Sequence, residues 1–140
     1  MEWNLIRSML FASCLLSTAA QAASIDIEAT HLRPTRMVTV SVFNDAASWR
    51  DGKPFTVRVF RALASSQEMR IDDLPPGRYA VRVDQAPNDS SVEMPNFARE
   101  RHGFSGNASG DRMPSFDRAA VAVGTSGAHL AVHLFISEVR

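Results

Sequence analysis

Met37-Val-Thr-Val-Ser-Val-Phe43 is the stretch that decides the fold. Val38, Val40 and Val42 alternate with Thr39 and Ser41, so in an extended chain the valines share one face and the hydroxyls the other. β-branched side chains suit a pleated, half-buried surface and lose rotamer freedom in a helix. The same period of two recurs on both sides of this stretch. Ahead of it, Ile25 and Ile27 alternate with Asp26 and Glu28. Behind it, Phe55-Thr-Val-Arg-Val-Phe-Arg61 places Phe55, Val57 and Val59 on one face and Arg58 on the other. Met69-Arg70-Ile71 reads as a short strand, and Tyr79, Val81 and Val83 form the inward face of the next. Ala119–Val123 and His129–Ile136 alternate again across Gly124-Thr-Ser-Gly127 and read as a hairpin, with Leu130, Val132, Leu134 and Ile136 on its core face. About seven short strands separated by turn signals predict an all-β domain, a single antiparallel β-sandwich of immunoglobulin-like or prealbumin-like type.

The interruptions carry their own information. Asn44 to Pro54 holds turn-formers and Trp49 and reads as a loop. In Leu74-Pro75-Pro76-Gly77, Pro-Gly fits the centre of a type II turn, where glycine takes the positive φ. Asp84 to Pro114 lacks a sustained strand pattern and reads as one long loop, with a turn of helix possible over Pro95–Gly103. Loops of that length in a compact domain are functional or are ordered by their own packing.

The amino-terminal residues 1–23 read as a cleavable signal peptide. Arg7 precedes an apolar or small run from Ser8 to Ala20, and Ala20-Gln21-Ala22 has the small-x-small form that signal peptidase cuts, after Ala22 or Ala23. The run is too short to span a bilayer. Lipidation at Cys14 is the alternative; Phe11 stands where a lipoprotein signal usually has leucine. Cys14 is the sole cysteine, so cleavage at the preferred site leaves residues 24–140 without a thiol, a disulfide or a thiolate metal site. Lys+Arg and Asp+Glu are 15 each, so no net field steers the chain to nucleic acid or an anionic membrane. The expected location is the periplasm or the cell exterior.

No catalytic constellation emerges. Gly103-Phe104-Ser105-Gly106 has a serine between glycines at the wrong spacing for a nucleophile elbow, and reads as a turn that packs Phe104 inward. Asp72 and Asp73 are adjacent, so on a strand end they point apart and cannot share a proton. His129 and His133 have the spacing of a helical zinc pair, but on a strand they start about 13 Å apart, and one metal ion cannot bridge them. The chain is read as non-enzymatic, with no cofactor and no metal site. Arg99-Glu100-Arg101-His102 is the densest charged cluster, with Phe97 and Phe104 flanking it. Arginine beside aromatics is the composition of interface hot spots. Phe97, Arg99, Arg101, His102, Phe104 and Asn107 are therefore the candidate residues for a ligand or partner.

Leu74-Pro-Pro-Gly-Arg-Tyr-Ala-Val81, Gly103-Phe-Ser-Gly-Asn-Ala108 and Pro114-Ser-Phe-Asp-Arg-Ala119, in that order and spacing, resemble a family of secreted bacterial proteins known as domain of unknown function 2141 (DUF2141). The resemblance covers Ile25 to Leu134 and implies an exported β-sandwich with no established activity. Members commonly carry an Asp-x-Asn-x-Asn-Gly loop after the tyrosine strand, which resembles a calcium loop. This chain has Asp84-Gln-Ala-Pro-Asn-Asp-Ser-Ser-Val-Glu93, without the glycine and with Pro87 inside it. Asp84, Asn88, Asp89 and Glu93 could supply only part of a calcium shell, and the stretch reads as a solvated polar loop.

The expected function is a binding or interaction module that uses the loop from Asp84 to Pro114. An envelope-associated structural protein is the alternative, and a calcium-dependent binding module stands behind it. The partner is an unidentified protein or small molecule, with no nucleic acid and no membrane span. The export reading is checked by amino-terminal sequencing of protein from its native host. The expected start is Ala23 or Ser24, and an intact Met1 or a lipidated Cys14 would refute it.

Overall fold

A computed structural model describes residues 21–85, 101–106 and 112–136. The apolar run before Ala20, Cys14, and the positions Asn88, Asp89 and Glu93 lie outside the described residues. The described elements are β1 (Ala23–Thr30), β2 (Met37–Phe43), α1 (Ala46–Asp51), β3 (Thr56–Arg61), β4 (Ser66–Leu74), β5 (Gly77–Gln85), β6 (Arg101–Phe104), α2 (Phe116–Ala119), β7 (Val121–Val123), β8 (Ala128–His133) and β9 (Phe135–Ile136). No helix among the described residues is long and apolar enough to cross a membrane.

The strands form two sheets. The smaller has the order β4-β1-β8, and the larger has the order β3-β2-β5-β6-β9 with β7 also paired to β5. The core lies between them. Ile25, Ile27 and Ala29 of β1 and Met69 and Ile71 of β4 meet Val38, Val40 and Val42 of β2 and Tyr79, Val81 and Val83 of β5. Burying each valine, isoleucine or methionine of this set contributes about 1.5–3 kcal/mol. The all-β sandwich therefore stands, with one departure from a purely antiparallel design. β1 and β8 run parallel, in register from Ile25↔Ala128 to Thr30↔His133.

Several local readings change. Ala46–Asp51 is a helix, not a loop. The Asp45 carboxylate accepts the Ser48 amide at 2.7 Å as an N-cap, and Gly52 at φ 67 ends the helix left-handed. A hydrogen bond from the Ser48 side chain, followed by the Ser48 amide, holds the Asp45 carboxyl below its usual pKa. Gly77 is not among the positive-φ glycines; the positive φ on this connection belongs to Asp73, at 61°. It sits where the β1–β4 register slips between Ala23↔Leu74 and Ile25↔Ile71, an extra residue on β4 absorbed as a bulge. The Pro-Pro-Gly corner is closed instead by Tyr79, whose hydroxyl donates to the Pro75 carbonyl. Burial raises the phenol's pKa.

Val121–Val123 and Ala128–His133 are not a hairpin. β7 pairs with β5 in the large sheet, whereas β8 pairs with β1 in the small one. Gly124-Thr-Ser-Gly127 carries the chain between sheets, with Gly127 at φ 81 where a Cβ would lie 2.7 Å from the Ser24 carbonyl. The chain changes sheets again at Leu134, between β8 and β9, which ends the alternation and leaves Ile136 exposed. Arg101–Phe104, expected in the long loop, is strand β6. Most consequential is β3. Its Val57 and Val59 are 42% and 56% exposed, while Phe60 packs against the core. The apolar pair faces outward from the large sheet.

The facing is tested by urea unfolding. Leu134→Ala is expected to lose about 2–5 kcal/mol, and Val40→Ala or Val81→Ala somewhat less. Val59→Ala is expected to stay within about 0.5 kcal/mol of the parent. Equal losses at Leu134 and Val59 would show the strand faces to be misassigned.

Candidate functional site

Strand alternation divides the candidate residues of β6. Arg101 and Gly103 pair with Gln85 and Val83, whose side chains point between the sheets, whereas His102 and Phe104 pair with Asp84 and Arg82 on the outer face. Phe97, Arg99 and Asn107 lie outside the described residues. The outer face is organised in two transverse rows. One runs Val59, Thr39, Asp84, His102, Phe135 across five strands, and the other runs Val57, Ser41, Arg82, Phe104 across four. At about 4.8 Å per strand the first row is roughly 19 Å long. Arg82 and Asp84 pair at 2.8 Å in the centre. Asp84, a conceivable calcium ligand by sequence, is here a strand residue engaged by an arginine.

Phe104 belongs to a second core. Phe43, Ala80 and Phe104 on the outer face are covered by Trp49 of α1 and by Phe116 and Ala119 of α2. Trp49 meets Phe43 and Phe104 edge-on at 5.0 and 5.8 Å, and its indole N–H donates to the Pro114 carbonyl at 2.8 Å. His102 stacks obliquely on Phe104 with ring centroids 5.5 Å apart. The three sequence pieces that carried the family resemblance thus converge here, through Ala80, Phe104, Phe116 and Ala119.

Ser105 holds the convergence in place. Its Oγ accepts the Val81 amide at 2.8 Å and donates to the Ala119 carbonyl at 2.7 Å, and its own amide donates to the Val81 carbonyl. The glycines on either side are dictated by contact. A Cβ on Gly103 would lie 2.5 Å from the His133 carbonyl oxygen, and one on Gly106, at φ 80, would collide with the Arg118 carbonyl. Gly-Phe-Ser-Gly is therefore an architectural unit, though Phe104 ends a strand and packs under Trp49 on the outer face rather than inward from a turn.

Arg101 lies at the opposite end of β6, where the turn after β1 closes the sandwich. Leu32 is buried there, and the Gln85 side chain bonds both the amide and the carbonyl of Arg33, at 2.6 and 2.8 Å. Arg101 Nη1 donates to the His31 carbonyl, while its Nε is buried without a hydrogen-bond partner. One sequence-adjacent pair thus serves two places: Arg101 ties strands together, and His102 belongs to the outer face. A grouping that sequence reasoning missed sits beside Arg101. His31 and His133 approach with ring centroids 6.2 Å apart, and the Thr30 hydroxyl lies 2.6 Å from His133 Nδ1. The residues are over a hundred positions apart, so no local pattern could pair them.

The role of Ser105 has a direct test. Ser105→Ala leaves the buried Val81 amide and Ala119 carbonyl without that partner, and is expected to lower stability by at least about 1–3 kcal/mol. Ser41→Ala, in the open part of the same face, is expected to change it by less than about 0.5 kcal/mol. A neutral Ser105→Ala in denaturant melts would remove Ser105 from this role.

No curated protein and no solved structure matches the chain. The model of a family described as an uncharacterised protein conserved in bacteria, DUF2141, matches residues 27–130. That span runs from β1 to β8 and takes in all three of the pieces that meet at Trp49 and Ser105. The chain belongs to the DUF2141 family.

Proposed function

We propose that the protein is an exported, non-enzymatic interaction module of the periplasm or cell exterior, and that it binds its partner with the outer face of the large sheet. One observation carries this reading: the row Val59, Thr39, Asp84, His102, Phe135, which leaves an apolar residue at each end of a polar centre. Val57 and Val59 lie open on β3, and Met37 adds a third exposed apolar side chain at the start of β2. Exposed apolar groups around oriented polar ones are the makings of a recognition surface. The charged groups at the centre are engaged with each other, which suits binding better than proton transfer. Export is supported by Ala20-Gln21-Ala22 directly ahead of β1, since cleavage after Ala22 leaves that strand whole.

A structural role is the second reading, favoured by the edge position of β3 in the order β3-β2-β5-β6-β9. An edge strand with an apolar face is a template for pairing with another chain. Photo-crosslinkers placed at Val59 and at Ala131 in the native host separate the two. The binding reading expects a discrete heterologous adduct from Val59 and none from Ala131, on the outer face of β8. A crosslinked dimer of this chain through Val59 would favour the structural role. Equal labelling at both positions would overturn a surface specific to the large sheet.

A further inference from the structure

Apolar exposure gathers along β3. Met37, Phe55, Val57, Val59 and Leu63 are five of the seven large apolar side chains that stand exposed among the described residues. Two belong to β3, two flank it in sequence, and Met37 faces Arg61 across the β2–β3 ladder. Apolar side chains gathered in one patch, rather than scattered, mark an interaction site.

The main chain of β3 opens to the same side. The Arg36 and Val42 carbonyls accept amides from the β3 side, of Ala62 at 2.8 Å and of Phe55 at 2.7 Å. Bonded residues alternate along an antiparallel ladder, so Thr56, Arg58 and Phe60, in register with Val42, Val40 and Val38, turn their main-chain groups to β2. Val57, Val59 and Arg61 turn theirs to the open side. Two side chains reach these groups from outside the ladder, in agreement with that phase. Gln67 Nε2 donates to the Arg61 carbonyl at 3.2 Å, and Arg58 Nη1 donates to the Val57 carbonyl at 3.0 Å. Between them, the amide and carbonyl of Val59 face a side with no neighbouring strand among the described residues.

The charge along this edge has one sign. From Lys53 to Gln67 the chain holds Lys53, Arg58 and Arg61 and no carboxylate. Arg50, Arg70, Arg78 and Arg82 each pair with an aspartate. Arg58 instead bonds the Thr56 hydroxyl and the Val57 carbonyl, and Arg61 bonds the Thr35 carbonyl. A carboxylate is a stronger acceptor for a guanidinium than these neutral oxygens. A second copy of the chain suits the edge poorly, since pairing β3 with β3 doubles the cations and brings no acid.

On the interaction surface proposed above, on which this inference rests, we propose that β3 takes up an extended segment of another protein as an added strand. That segment places a carboxylate beside Arg58, between two apolar side chains that lie against Val57 and Val59. Main-chain bonds to an open edge supply affinity, and alternate side chains supply specificity. Entry of the segment moves Arg58 from the Val57 carbonyl to the carboxylate and frees that carbonyl for an incoming amide. Without a partner, the guanidinium guards the edge.

The test uses protein purified from its native host and a fluorescent, end-blocked peptide that alternates valine with glutamate, with binding read by anisotropy. The glutamate peptide is expected to bind, to bind less as salt is raised, and to slow hydrogen exchange at the Val59 amide. A peptide alternating valine with lysine is expected not to bind. Arg58→Glu is expected to lower affinity for the glutamate peptide roughly tenfold, because an attraction becomes a repulsion, and to admit the lysine peptide. Val59→Pro removes a donor on the open side and is expected to abolish binding with the circular dichroism spectrum unchanged. Ala131→Glu, on the other sheet, is expected to leave binding as it is. Equal binding of the two peptides, indifference to Arg58→Glu, or unslowed exchange at Val59 would overturn the added strand. So would the absence of binding by the glutamate peptide; a heterologous crosslink at Val59 that persists in Arg58→Glu would then show the surface standing without this mode of binding. A concentration-dependent dimer that Val59→Pro abolishes would give the edge to a second copy and overturn the proposal.

Discussion

The hydroxyl of Ser105 accepts one hydrogen bond from the Val81 amide and gives one to the Ala119 carbonyl, at a position closed to water. A buried backbone group without a partner costs about as much as a lost hydrogen bond. β5 changes partner along its length, from β6 at Arg82–Gln85 to β7 at Gly77–Tyr79. Ser105 supplies the missing partner at the changeover. Because it does so, α2 can lie against the outer face, Phe116 can cover Phe104, and Trp49 can complete the second core. The family's sequence pieces are best understood as the parts of this joint. Their shared chemistry is architectural, and it supports a face whose remaining residues are left open.

The sequence told most where one side of a strand is buried against the other sheet. Val38, Val40 and Val42, and likewise Tyr79, Val81 and Val83, point inward as their alternation implies, because both strands are interior members of the large sheet. On β3 the same alternation holds, with Val57 and Val59 on one face and Arg58 on the other, but it leaves the facing open. There the period of two is just as clean, but periodicity reports that a strand has two unlike faces, not which one is covered. β3 is an edge strand, where Arg58 reaches solvent from the inner side and Val57 and Val59 are left outward. β6 was missed for a different reason. Four residues, of which one is glycine and two are charged or titratable, are too few to show a period. The supposed hairpin failed because a glycine-bounded turn joins neighbouring strands and strands of opposite sheets equally well. Of the candidate residues, His102 lies on the outer face of β6, whereas Arg101 lies on its inner side and binds a carbonyl seventy residues away, a contact no local pattern announces.

The two ends of the sandwich's edges differ in kind. On one side the chain itself passes from the small sheet into the large one at Leu134, between β8 and β9. That crossing ties the sheets covalently, and Gly103 lets β6 approach the His133 carbonyl closely enough to complete it. On the other side β3 and β4 are the outermost strands of their sheets, and the link between them is short. Edge strands that lack a neighbour are where proteins either place protective charge or recruit a partner. Here β3 carries Arg58 and Arg61, which disfavour indiscriminate pairing, beside Val57 and Val59, which reward a specific one.

The parallel pairing of β1 with β8 has a consequence for chemistry as well as for stability. β1 is the central strand of its sheet, bonded to β4 on one side and β8 on the other, so its register cannot slip without breaking both ladders. Slippage by one residue would also turn Ile25 and Ile27 out of the core. The position of Thr30 opposite His133 therefore inherits the rigidity of the whole sheet, and His31 inherits it in turn through the bonds on either side of its left-handed backbone. The outer face of the large sheet is built on the opposite principle, with its exposed valines on a strand that has one neighbour among the described residues. The same fold thus offers a polar corner fixed by two ladders and an apolar edge fixed by one. Under the proposed function, it is the second that a partner able to supply a strand or a complementary face would meet.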